Sequence, residues 1–89
     1  MPDYLATIRR NPQAGEFVIG APDFPEIDER CERFSDVDVL ARAAIRAALA
    51  RCRRAGADPP VPTPKKRLEA QPEYRNCFLL TVDGDAPHP

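Results

Sequence analysis

The chain has one serine, one histidine and no tryptophan. Nucleophilic catalysis needs a Ser, Cys or Thr beside a base. Ser35 stands where a helix begins and suits a capping role, and His88 lies in a Pro-flanked tail. No triad or dyad can be composed around them. Glycines number four, with no GxGxxG or P-loop spacing, so no phosphate-cradling loop is encoded. The three cysteines, Cys31, Cys52 and Cys77, are odd in number and widely spaced, with no Cys-x-x-Cys. That pattern fits neither a disulfide framework nor a zinc site, and suggests reduced thiols in a cytoplasmic protein. No cofactor or metal is expected. No apolar run approaches the ~20 residues of a membrane span, and no signal-peptide core opens the chain.

What is present suits one small domain. The 89 residues carry 43% hydrophobic side chains and a net charge of −1. Neutrality overall gives no global drive toward nucleic acid or an anionic membrane. The charges are nevertheless segregated. Residues 23–38 hold seven acids (Asp23, Glu26, Asp28, Glu29, Glu32, Asp36, Asp38) against two arginines, and residues 42–67 hold eight bases against one acid. Either both are solvated faces, or the acidic one meets a basic partner. Carboxylate pairs (Asp23 with Glu26, Asp28 with Glu29, Asp83 with Asp85) read as exposed edge or loop charges, because acid–base work needs a shielded pocket.

The patterning predicts an α+β fold, a small antiparallel sheet in the order β-β-β-α-β with one long amphipathic helix on one face. Tyr4–Ile8 and Glu16–Ala21 read as a hairpin around an Asn-Pro and Gly-containing turn. Gly20 within the second strand suggests a bulge or a close backbone approach. Pro22–Glu26 interrupts the pattern, and residues 27–34 read as a third strand with a helical turn as the competing reading. From Val37 to Cys52 apolar residues recur at helical spacing, much of the face being alanine. Ser35 is the expected N-cap, with Asp38 completing a capping box, and Gly56 the expected stop. Residues 1–56 thus form the hairpin, third strand and helix. Residues 57–67 read as a proline-rich linker, 68–83 as the final strand region, and 84–89 as a disordered tail. The strand Asn76–Asp83 has apolar residues on both faces. One helix covers only one face, so the other is expected to keep apolar surface for a homo-oligomer or a docked partner.

Several of these residues together resemble a known family. They are Tyr4-x-Ala6-x-Ile8, Gly15-Glu16-Phe17-Val18, and the loop Pro22-Asp23-Phe24-Pro25-Glu26. The helix with Ala41, Ala44, Ala48 and Leu49, and the following Pro60, Pro62 and Pro64, complete the set. The chain is similar to the HicB antitoxins of bacterial toxin–antitoxin pairs, over about residues 3–64. The resemblance implies a partial RNase H-like unit without catalytic carboxylates, hence no enzyme. It further implies a partner, a HicA-like small basic RNA-cleaving toxin. Many members add a DNA-binding segment, and the sequence given stops about where that would begin, so operator binding is not expected of it. Glu32-Arg33-Phe34-Ser35 departs from the family's usual small turn after the third strand, which keeps open a stand-alone domain without a toxin. On the antitoxin reading, Asp23, Phe24, Glu26, Asp28, Glu29 and Glu32 would contact the partner, with Phe24 as apolar anchor. The alternative is a regulatory or nucleic-acid-binding role through Arg42, Arg46, Arg53, Lys65, Lys66 and Arg67. Exposed aromatics interleaved with those bases would favour it, and there are none.

Overall fold

A computed structural model describes residues 3–83. Four strands form one antiparallel sheet: β1 (Asp3–Asn11), β2 (Glu16–Gly20), β3 (Glu29–Cys31) and β4 (Phe78–Asp83), in spatial order β3-β2-β1-β4. The helices are α1 (Val37–Arg54) and the short α2 (Lys65–Glu69). The α+β class with its long helix is as the sequence predicts.

The hairpin follows from its turn. Gly15 takes φ +66°, a left-handed conformation that favours glycine, and its N–H donates to the Asn11 carbonyl at 2.9 Å. The strands then pair in register from Asn11 opposite Glu16 to Thr7 opposite Gly20. Gly20 is a close approach: a Cβ there would sit 3.3 Å from Thr7 Oγ1.

Alternation decides which residues meet α1. Tyr4, Ala6 and Ile8 of β1, Ile19 of β2 and Val82 of β4 point to one face. They form the core with Val37, Ala41, Ile45, Ala48 and Leu49 of α1. Ala41 and Ala48 are at most 1% exposed, which lets the helix lie close on the sheet. The helix ends as its sequence dictates. Gly56 adopts φ +70°, its N–H donates to the Arg53 carbonyl, and Ala57 N–H donates back to Cys52. This is the Schellman arrangement that satisfies the last carbonyls.

The other helix end differs from expectation. Ser35 does not cap α1, and Asp38 completes no capping box. A 3-10 turn at Phe34–Asp36 runs straight into the helix, and Asp36 occupies the cap position with no side-chain bond. Asp36 N–H already donates to the Arg33 carbonyl and Val37 N–H to Phe34, so the turn supplies the bonding a side chain would otherwise give. Both readings of residues 27–34 are therefore partly realised: a three-residue strand, then a helical turn.

The segment after α1 also differs. Residues 57–64 are extended, but Lys65–Arg67 open α2 and a 3-10 turn follows at Pro72–Tyr74, so strand structure begins only at Phe78. Pro64 sits at the N-cap with φ −63° and ψ 145°, delimiting the extended stretch from the helix. This segment crosses to the sheet's second face. Leu5 points away from α1, and both Leu5 and Leu68 are buried outside the core beneath α1. Arg9, on the same face as Leu5, donates to the Glu73 carbonyl and to Cys77 Sγ at 3.3 and 3.4 Å. The second face is thus partly covered by the chain itself, a cover the sequence reading did not include. The tail 84–89 lies outside the described residues.

Candidate protein-binding face

The six acidic-side residues do not act alike. Phe24 is 3% exposed and packs on Tyr4 with ring centroids 5.0 Å apart. It is a core residue and not an exposed anchor. Two successive turns, Phe24 N–H to Ala21 and Ile27 N–H to Phe24, curl the Pro22–Glu26 loop so that its aromatic ring points inward. Asp23 accepts from both the backbone N–H and the hydroxyl of Thr63, at 3.0 and 2.7 Å. Beside it, the Tyr4 hydroxyl donates to the Pro60 carbonyl at 2.6 Å. These bonds tie the proline-rich segment onto the loop, so Asp23 has a structural task. Burial and the nearby Asp23 charge both push the Tyr4 phenol above its ordinary value.

The remaining acids are exposed. Glu26 pairs with Arg51 at 3.2 Å, and Asp28 approaches Arg30 at 3.6 Å. Arg30 also donates to Glu16 at 3.1 Å, and these two carboxylates raise its pKa, the Glu16 bond foremost. Glu29 lies on β3 at the sheet's edge, and Glu32 follows it, also exposed. Cys31, half-buried between them, has its thiol pushed up by burial and by the Asp36 charge, which makes it a poor nucleophile.

Sequence reasoning missed the aromatic beside this stretch. Phe34 is 56% exposed. Its ring makes edge contacts with Phe17 at 5.4 Å and Phe78 at 6.1 Å. Phe34 and Phe78, with Val37, Asp38 and Leu80, line an open apolar hollow of about 200 Å³. Two of these residues come from the C-terminal strand, more than forty positions away, so no local pattern announces the cluster.

The basic residues of the alternative reading are split. Asp38 accepts from Arg42 at 3.0 Å, within one turn of helix. Arg46 is half-buried with its Nε lacking a partner among the described residues, and Arg53 is exposed in the last turn of α1. Lys65, Lys66 and Arg67 sit on α2, where Lys65 and Glu69 line a hollow with Cys77 and Leu79 of the second face. The two sets therefore sit on different helices, α1 and α2.

Among the described residues, no group of three or more His, Cys, Asp or Glu is placed to hold a metal, and no helix is long and apolar enough to cross a membrane. His88 and Asp85 lie outside the described residues.

No family model and no curated protein matches the sequence. Solved structures do match the fold. The N-terminal domain of the Burkholderia pseudomallei antitoxin HicB superposes with a TM-score of 0.83 at 20% identity, covering 96% of this chain and 100% of that one. The antitoxin HicB of the same organism superposes with a TM-score of 0.83 at 21% identity, over 96% of this chain and 63% of its own length. The described residues thus have the fold of the HicB N-terminal domain.

Proposed function

We propose that this chain is an antitoxin-type binding module that sequesters a small basic RNA-cleaving toxin of the HicA kind. The observation that carries the reading is the full-length match to an antitoxin's N-terminal domain. The residues with which the sequence resembles HicB, the hairpin and the Pro22–Glu26 loop, build that same fold. The surface fits such a partner. Asp28, Glu29 and Glu32 project from the β3 edge beside exposed Phe34. The charges would speed the encounter with a basic surface, and the ring would supply the apolar contact that buried Phe24 cannot. Covering the toxin's RNA-binding surface silences it without chemistry from this chain.

The test is direct. The genes flanking that of this chain are inspected first, and absence of any encoding a small basic protein counts against the proposal; such a protein is purified and mixed with this chain, and binding and RNA cleavage are followed together. Nanomolar binding with loss of cleavage is the expected outcome. A neighbour of that size and charge that neither binds nor is inhibited sinks the proposal.

A further inference from the structure

A second hollow, of about 320 Å³, lies between α2 and the start of β4. That volume is at the lower end of the roughly 300–1,000 Å³ of small-molecule sites. Lys65 and Glu69 line it from α2, Tyr74 and Arg75 from the turn that follows, and Cys77 and Leu79 from the second face of the sheet. Its charges are of both signs, and none is used. Among the described residues, Lys65, Glu69 and Arg75 have no ion pair and no side-chain hydrogen bond, and the Tyr74 hydroxyl has no partner. Elsewhere exposed charges do pair, Glu26 with Arg51, Asp38 with Arg42 and Glu16 with Arg30. Lys65 and Glu69 stand one turn apart on α2 without doing so. Nor do they serve their helix, since a cation at its first residue and an acid at its last oppose the dipole. Arg9 is committed by contrast. It donates to Cys77 Sγ and to the Glu73 carbonyl, and so joins two sides of the hollow.

We propose that this hollow binds a free α-amino acid with an apolar side chain. Its carboxylate would meet Lys65 and Arg75, its ammonium Glu69, and its side chain the half-buried Leu79 and Tyr74. The mixture of signs selects this class. A phosphate or a dicarboxylate would satisfy the two cations and the Tyr74 hydroxyl but would be repelled by Glu69. A neutral apolar molecule would take water from three charges and give them no partner. A zwitterion matches both signs at once. The tie that Arg9 makes across the hollow holds its walls before any ligand arrives, which lowers the ordering cost of binding. None of these residues is among those proposed to meet the toxin, so the inference stands apart from the antitoxin reading.

The experiment titrates L-leucine into the intact, isotope-labelled chain and follows the backbone amides by NMR. Saturable shifts confined to residues 65–69 and 74–79 are expected at millimolar concentration. N-acetylleucine, which lacks the ammonium, and leucinamide, which lacks the carboxylate, are each expected to bind at least about tenfold more weakly. Glu69→Gln and Arg75→Gln, both at exposed positions, lower the affinity for leucine by a similar factor and leave the rest of the spectrum in place. Glu69→Gln also erases the preference for leucine over N-acetylleucine, which a merely structural role would not do. No site-specific shift up to about 10 mM leucine overturns the proposal. Either analogue binding as tightly as leucine overturns it too, as does tighter binding of adenosine monophosphate, which would make the hollow a simple anion site. Should a variant fail to fold, the wild-type titrations decide alone.

Discussion

Tyr4 couples packing to titration in one side chain. It is 1% exposed, packs on Phe24 and donates its hydroxyl proton to Pro60. Its pKa is raised in the fold by burial, then by Asp23 and Cys52. A phenol whose folded pKa lies above its unfolded value holds its proton longer in the native state. Its contribution to stability is therefore complete below about pH 10, the unfolded value, and is lost as pH rises toward the folded one. Urea unfolding is expected to show constant stability from this group through the neutral range and a decline above about pH 10. Tyr4→Phe costs roughly 0.5–1.5 kcal/mol for the lost hydrogen bond and makes the alkaline decline shallower. Tyr74, also raised by burial and Glu73, keeps a residual slope. An alkaline limb as steep in Tyr4→Phe as in the wild type would show that Tyr4 does not carry the effect. That Tyr4 belongs to a first strand with Ala6 and Ile8 was legible in the sequence. Its partner Phe24 was not, because a loop phenylalanine between two prolines points inward or outward according to turns that the sequence leaves open.

At the scale of elements, Asp23 fastens two segments forty positions apart. Its carboxylate holds both donors of Thr63, so the proline-rich stretch is a strap laid on the Pro22–Glu26 loop. Asp23→Ala leaves a half-buried backbone N–H without its acceptor and is expected to cost about 1–3 kcal/mol. Hydrogen exchange resolves where the loss falls: the Thr63 amide loses protection while the α1 amides keep theirs up to the lower global limit. Uniform loss at α1 and Thr63 alike would mean that the strap is not a separate unit. Periodicity made α1 readable, since it buries one face, while the hairpin was readable from its turn and β4 from its short apolar run. The strap, α2 and the crossing to the second face were not readable. They depend on Asp23, Arg9 and Leu68 finding distant partners, and proline content describes an extended stretch equally well whether it is anchored or free.

The whole molecule partly mixes the charges that the linear sequence segregates, since Arg51 pairs with Glu26 and Arg42 with Asp38. Of the six proposed contact residues, Phe24 is interior and Asp23 is occupied, while Glu26 is paired with Arg51. Glu29 and Glu32 remain at the β3 edge, on the side of the sheet away from β4, together with Asp28, which lies 3.6 Å from Arg30. If this edge steers a basic partner, its effect belongs to association and is screened by salt, because the Debye length shrinks from about 10 Å at 0.1 M to about 3 Å at 1 M. Reversing all three to lysine is expected to lower the association rate with a basic toxin by tenfold or more at low salt. Raising the salt should close most of that gap, with the dissociation rate changing far less. Stopped-flow binding at two ionic strengths reads both rates. All three side chains are exposed, so the triple variant should keep the stability of the wild type to within about a kcal/mol. A gap that persists unchanged at high salt would assign these residues to direct contact and not to steering, and no gap at either salt would remove the β3 edge from the binding face.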